Sequence, residues 1–425
     1  MRKPALLILF LIVTQLTACS LTNTATLPTK IMPTISPTAT IVIHPTETIV
    51  DTPSPTVEIN QCWNRLPNVP PGVTLPGKLV LLLSSNTQLS ILDFQQNTQR
   101  QINEVGSNAS VSPDGKWLSY FHISQTEELL TIESADGQVK TRIPAGAGWL
   151  TMLVGGTPWL DNERLWISTL PTEKDESAPM VIINPFTGKQ QKILSNYPGL
   201  ERYLVGMASG PGLHFGYSSV SYSPSLQLVA YPEVTKDGYA YITLWDRQSK
   251  KALARILDGG LYGYFPLWLP DGNRFVVVAS PEQDISKDWT KWLPREWQMV
   301  NQDGTVRQLT HFHDIYGDKF EIGPHYSVSP DGNYLAFGLS QNEDTASTEP
   351  KQLMILDLKT LDVINTCISY FYPRPVWSPD SQYLAVRTVV GRKPSTTAII
   401  NLKNKWVADL QKDIDGDPVG WLKFP

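Results

Sequence analysis

Four stretches of the chain share one arrangement of polar and apolar positions: VSPDGKWLSYFHIS at 111–124, WLPDGNRFVVVAS at 268–280, VSPDGNYLAFGLS at 328–340 and WSPDSQYLAVRT at 377–388. Each opens on a turn signal and runs straight into a largely apolar segment. Proline presets φ at about −65° in the second position of a turn, while Asp and Gly supply local hydrogen bonding and tolerance of positive φ. In the run that follows, Leu335 and Phe337 fall on one side of a strand and Ala336 on the other, since successive side chains alternate. Both sides are apolar, and small residues alternate with large ones. The pattern predicts strands buried on both faces.

The spacing recurs with weaker letters in WLDNERLWIS and YSPSLQLVAY, and in truncated form in VGWLKFP. Aligned on the turn, the copies fall at Pro113, Leu160, Pro224, Pro270, Pro330, Pro379 and Leu422, in steps of 47, 64, 46, 60, 49 and 43 residues. Each unit carries a second signature of strand, short turn and strand, as in LLTIESADGQVKTRI, YITLWDRQSKKALARIL and LMILDLKTLDVINTCI. Four strands every 40 to 60 residues is the period of a β-propeller blade. The first unit, GKLVLLLSSNTQLSILDFQQNTQRQI, has three strands and lacks an inner one; VGWLKFP supplies an inner strand and stops. The expectation is an all-β fold: a seven-bladed β-propeller of four-stranded antiparallel blades over residues 62–425, closed by pairing of the N- and C-terminal strands. Asp114, Asp271, Asp331 and Asp380 are then turn residues rather than an acid/base set.

Composition agrees with this class. Thirty-four Pro and 28 Gly mark many turns, and 13 Trp and 16 Tyr suit pleated surfaces. A net charge of −5 argues against a nucleic-acid partner, which needs basic surface to displace phosphate counterions.

The first 61 residues read differently. Residues 1–18 carry Arg2 and Lys3 and then an apolar run from Ala5 to Val13, too short to span a bilayer, as in a secretory signal. The following LTAC, Leu16 to Cys19, resembles the lipobox of bacterial lipoproteins; the resemblance implies cleavage before Cys19 and lipidation of its thiol. The alternative is an ordinary secretory signal with a chance cysteine. Residues 22–56 hold 11 Thr and 6 Pro with only three charges, a composition that cannot bury enough surface to order itself, so 19–61 is read as a lipidated tether. This places the protein outside the cytoplasm, attached by lipid to the cell membrane or the outer membrane, as a monomer.

WSPDSQYLAV and VSPDGNYLAF resemble the repeat W-S-P-D-G-x-x-[LI]-A-[FY] of the TolB-type, WD-repeat-like propellers of bacterial envelopes. The resemblance covers the region after the tether and implies the propeller fold and envelope protein partners. It is nearly silent on activity, since propellers host binding modules and enzymes alike.

Candidate chemistry is sparse. Cys62 and Cys367 either pair, as two thiols in an extracytoplasmic chain tend to, or stand apart, one exposed and one buried. Paired, they pin the start of the domain near the ring seam, with Cys367 on the outer strand of the blade before the closure. His311, His313 and His325 lie within fifteen residues; on an extended segment His-x-His puts both rings on one side, as zinc requires, and the plainer reading is loop polarity. Asp413, Asp415 and Asp417 alternate like calcium ligands but lack the Gly and Glu of an EF-hand. Trp289, Trp292 and Trp297, placed on one long insertion, form either a ligand-binding patch or packing against their own blade. No nucleophile elbow, zincin helix, Walker loop or dinucleotide fingerprint occurs, and no cofactor is implied. The expected function is binding of a protein, peptide or glycan ligand; the alternative is an envelope hydrolase or lyase with acids on the channel-mouth loops.

Overall fold

The structure is a computed structural model, and it describes residues 57–58, 62–83, 87–105, 109–123, 128–144, 149–150, 158–169, 180–193, 197–200, 220–236, 239–257, 265–281, 295–317, 319–340, 351–370, 373–390, 393–410 and 416–424. The signal segment, Cys19 and most of the tether lie outside these residues.

Strands β1 (Val57–Glu58) and β2 (Asn64–Leu66) lead into β3 (Gly77–Leu83), β4 (Gln88–Asp93) and β5 (Thr98–Asn103). Four-stranded antiparallel sheets follow. The first is β6 (Ser110–Val111), β7 (Trp117–Ile123), β8 (Glu128–Ser134) and β9 (Lys140–Pro144); the second is β10 (Trp149–Leu150), β11 (Leu165–Thr169), β12 (Met180–Ile183) and β13 (Gln190–Ile193). The third is β14 (Ser221–Tyr222), β15 (Leu228–Val234), β16 (Ala240–Asp246) and β17 (Lys251–Leu257); the fourth is β18 (Leu267–Trp268), β19 (Arg274–Ala279), β20 (Glu296–Asn301) and β21 (Val306–Gln308).

After the short helix α1 (Phe312–Tyr316) come β22 (Glu321–Ile322), β23 (Ser327–Val328), β24 (Tyr334–Ser340), β25 (Lys351–Asp357) and β26 (Val363–Tyr370). They are followed by β27 (Val376–Trp377), β28 (Tyr383–Val390), β29 (Lys393–Asn401) and β30 (Trp406–Asp409). These strands form one eleven-stranded sheet with β1 and β2, in which two antiparallel ladders meet only at the pair Tyr370–Thr388. The last strand, β31 (Gly416–Lys423), returns to β3 and completes a four-stranded sheet β31–β3–β4–β5, with Trp421 opposite Leu79.

The sheets stack face to face, and the alternation in the sequence is the reason. On β24, Leu335, Phe337 and Leu339 pack against Val276, Val278 and Trp297 of the preceding sheet. Ala336, between them, packs on the other side with Leu353, Ile355, Trp377 and Leu384. The same division recurs on β19, where Phe275 and Val277 face Leu228 and Ala230. It recurs on β3, where Leu79 and Leu81 meet Tyr383, Ala385 and Ile399 while Val80 meets Leu118 and Tyr120. With two buried faces, a strand is largely apolar at its central positions, and a one-residue slip exchanges the two sets of neighbours.

The lead-in segment is more tightly held than its composition suggests. Val57 and Glu58, inside the stretch read as tether, pair in parallel with Val363 and Ile364 at the outer edge of β26. Asn64–Leu66 then pair in parallel with Trp406–Ala408 on the outer edge of β30. Between the two contacts, Cys62 is disulfide-bonded to Cys367, with the Cα atoms 5.1 Å apart. The position of Cys367 differs from the sequence reading: a complete ladder, β27 to β30, stands between its strand and the sheet that holds β31. Cys367 sits where the register of β25 and β26 shifts and has φ of 59°, so a bulge brings its side chain to the outside. Trp63 is buried beside Ile355 and Ile368, and Arg65 makes two hydrogen bonds to the Asp409 carboxylate at 2.9 and 3.1 Å.

The bond joins residues 305 positions apart, so its loss enlarges the unfolded ensemble. Reduction, or the double variant Cys62→Ser/Cys367→Ser, is expected to lower stability by about 2–4 kcal/mol. Urea unfolding with and without reductant measures this; an unchanged midpoint would contradict it.

Candidate functional site

The first strands of the ladders line a common cavity of about 610 Å³. Its wall is built from β6, β14, β18, β23, β27 and β31, together with the segment Trp159–Asn162, whose Trp159 bridges to Leu165. The turns after these strands form one mouth, with Pro113, Pro224, Pro270, Pro330 and Pro379 on its rim.

The acids of the repeat are occupied at this mouth. Asp114 accepts hydrogen bonds from the Ser112 hydroxyl at 2.7 Å and the Lys116 N–H at 3.1 Å. Asp331 does the same with Ser329 at 2.6 Å and the Asn333 N–H at 3.0 Å, and Asp380 with Ser378 at 2.6 Å and the Gln382 N–H at 3.1 Å. Each of these serines also accepts the N–H of the first residue of the next strand: Trp117, Tyr334 or Tyr383. Partial burial opposes ionisation of Asp331, but the hydrogen bonds from Ser329, Asn333 and Ser381 outweigh it and hold its carboxyl below the ordinary range.

Neighbouring turns are also fastened to each other. The Asp114 N–H donates to Asn162 Oδ1 at 2.9 Å, the Asp331 N–H to Ser381 Oγ at 3.0 Å and the Lys423 N–H to the Gly115 carbonyl at 2.7 Å. Glycine is required here twice over. Gly115 has φ of 75°, and a Cβ on it would lie 3.0 Å from Pro379 Cγ and 3.1 Å from Lys423 N. Farther in, Trp377 Nε1 donates to the Ser327 carbonyl and Trp421 Nε1 to the Val376 carbonyl, both at 3.2 Å. Trp268 occupies the matching position, is only half-buried, and its Nε1 meets no acceptor among the described residues.

Arg374 is the wall residue that sequence reasoning missed. It stands three places before Trp377 and five before Pro379, as Phe265, His325 and Asp417 stand five before Pro270, Pro330 and Leu422. The equivalent positions share no residue type, so the sequence pattern holds no signal that could have found it. Burial pushes its guanidinium down to about 10. Burial also lowers His325, and the positive charges of Arg374 and Lys351 lower it further. Lys351 itself is matched by Glu321 at 2.7 Å.

The predicted site residues are dispersed. Trp297 is not on the insertion surface: it lies on β20, fully buried against Tyr326 and Phe337, because its strand position faces the next sheet. Trp289, Trp292, Asp413 and Asp415 lie outside the described residues. His311 and His313 are not on an extended segment, since His313 belongs to α1 and His311 precedes it. His311 Nδ1 lies 3.2 Å from Gln308 Nε2 and 3.5 Å from Asp314 Oδ2, and Tyr370 donates its hydroxyl to the His325 carbonyl. Among the described residues, no three His, Cys, Asp or Glu side chains are gathered as a metal ion needs.

What holds α1 is Glu296. Its carboxylate accepts the His313 N–H at 2.7 Å and the Thr310 hydroxyl at 2.6 Å, satisfying donors at the helix start. Burial raises its carboxyl above the ordinary value, the hydrogen bonds only partly opposing this.

No family model matches the chain. A stretch of 131 residues, 31% of the chain, is 29% identical to the uncharacterized peptidase YuxL of Bacillus subtilis (strain 168) and spans only 18% of that protein's length. Among solved structures, the uncharacterized protein lmo1340 of Listeria monocytogenes EGD-e is similar with a TM-score of 0.50 at 10% identity, over 82% of this chain and 97% of that one. TolB of Acinetobacter baumannii is similar with a TM-score of 0.40 at 14% identity, over 79% of each chain. At these identities the likeness is one of fold alone. Among the described residues, no helix is long and apolar enough to cross a membrane.

A carboxyl raised by burial stabilises the fold most when protonated, and that contribution is lost as pH rises through its folded value. Wild type is therefore expected to gain stability relative to Glu296→Gln as pH falls from about 7 toward the ordinary carboxylate range near about 4.3. Melting both proteins across this range checks it; a difference that stays constant with pH would contradict it.

Proposed function

We propose that this protein is a seven-bladed β-propeller, closed by β31 on β3 and tethered outside the cytoplasm through a lipidated Cys19, that binds a protein, peptide or glycan ligand at its central channel without catalysis. The observation that carries this reading is the channel itself. The inner strands β6, β14, β18, β23, β27 and β31 and the segment Trp159–Asn162 converge on one cavity of about 610 Å³, inside the range of about 300–1,000 Å³ usual for ligand sites. Its wall offers aromatic rings, prolines and the cations Arg374 and Lys423. Closure in a ring is supported by the succession of shared cores, which passes from sheet to sheet and returns through Leu79 and Leu81 to Tyr383 and Ile399. Against catalysis stand the acids of the mouth, whose oxygens are taken up by turn hydrogen bonds. Extracytoplasmic location and lipid attachment rest on the N-terminal sequence, and a disulfide agrees with an oxidising compartment.

Full-length protein with a photo-reactive residue at position 268, produced in cells, tests both parts. The expected result is a membrane-fractionating protein that cross-links to a discrete envelope component, with fractionation lost in Cys19→Ser. Equal cross-linking from position 142, on the exposed outer strand β9, would sink the channel reading. A membrane-bound Cys19→Ser variant would sink the lipid.

A further inference from the structure

We propose that the channel takes an uncharged sugar, the end of a neutral glycan, held by a ring of main-chain groups two residues before the rim prolines and by Trp268; this rests on the channel being the binding surface. The register of the inner strands makes the ring. Ser112, Leu269, Ser329 and Ser378 donate their N–H groups to the second strand, at the carbonyls of Trp117, Arg274, Tyr334 and Tyr383. Antiparallel pairs alternate, so the residues just before them, Val111, Trp268, Val328 and Trp377, turn N–H and C=O the other way. Each inner strand has a ladder partner on one side only, and all four residues line the cavity, so these groups face its interior. They stand two places before Pro113, Pro270, Pro330 and Pro379, which puts them at one level. Peptide groups inside a protein require partners, and at this place the contents of the cavity supply them.

The level of the ring is uncharged. Its side chains are Val111, Tyr222, Trp268, Val328 and Trp377. The charges of the wall lie to either side: Asp114 and Asp161 at the mouth are ion-paired to Lys116 and Arg164, Lys423 follows the last rim position, and Arg374 comes three residues, about 10 Å, before Trp377. Of the three aromatic rings at this level, Trp268 is the one only half-buried. Phe275, itself fully buried, packs against it with centroids 5.1 Å apart.

Geometry decides between classes of ligand. An extended peptide gains its main-chain bonds by lying along a strand edge and pairing at alternate residues. Each edge here offers one residue, so no ladder can run. The N–H and C=O groups are instead set around an axis, one residue to a strand. A sugar hydroxyl is donor and acceptor at once, and a pyranose carries several around one rigid body, so it can meet groups that come from different strands. Its C–H surface is apolar and packs on an indole. A charged sugar finds no counter-charge at this level.

The test is equilibrium binding of full-length protein to three neutral trisaccharides (maltotriose, cellotriose and triacetylchitotriose), to trigalacturonate and to a mixture of N-acetylated, amidated tetrapeptides, with amide exchange read on the bound forms. A neutral trisaccharide is expected to bind and to slow exchange at Val111, Trp268, Val328 and Trp377. Trp268→Ala should weaken it at least about tenfold, the usual scale for truncating a ring at the centre of a site. Trp268→Phe should recover part of that loss. Melting curves establish that the variants are folded; if Trp268→Ala is not, Trp268→Phe and the exchange pattern of the wild type decide. Binding of the tetrapeptides or of trigalacturonate in place of the neutral sugars, weakened by Trp268→Ala, leaves the channel reading standing and overturns this inference. Sugar binding that is weakened by Trp268→Ala but leaves the four amides unchanged also overturns it. Sugar binding that responds to neither overturns the channel reading itself. Absence of binding by all three neutral sugars overturns the inference as well.

Discussion

A sheet packed between two others has to be largely apolar on both faces. Leu335 and Phe337 serve one neighbour while Ala336 serves the next, and Val80 is separated from Leu79 and Leu81 in the same way. Such a strand cannot slip by one residue without sending large side chains where small ones fit. The repeat in the sequence is the record of that requirement. The same requirement makes the termini interdependent, since β3 has its inner-edge partner in β31, the last strand of the chain.

The turns of one channel mouth carry the most conspicuous acids, yet their oxygens organise Ser-Pro-Asp turns and their backbones are fastened to adjacent turns. The outer edges of β26 and β30, which could recruit another chain, are covered by the lead-in strands. Among the described residues, the wall of the cavity stands open. There the inner strands are short and each contributes only a few side chains.

How much of this the sequence discloses depends on whether the cause is local. Turn prolines, the alternation after them and the shortened first and last units follow from short-range rules, and the all-β ladders could be read from them. The part of the turn serines could not: Ser112, Ser329 and Ser378 look like neutral turn formers until each is seen bonding both its Asp and the next strand. Trp297 lies on β20 rather than on the insertion, and Pro294, three residues before it, is the signal that separates strand from loop. His313 was misjudged because α1 is held by Glu296, seventeen residues earlier on another element. Arg374 carries no such local signal, because the equivalent positions share no residue type and its place depends on which wall it lines.

Amide hydrogen exchange along β31 tests the central claim, the meeting of the chain ends, most directly. If the last strand completes a sheet that shares its core with both neighbours, the amides of Gly416–Lys423 that pair with β3 exchange only by global unfolding, with the same free energy as those at the centre of β24. Exchange of β31 at a clearly lower free energy, while β24 stays protected, would contradict it.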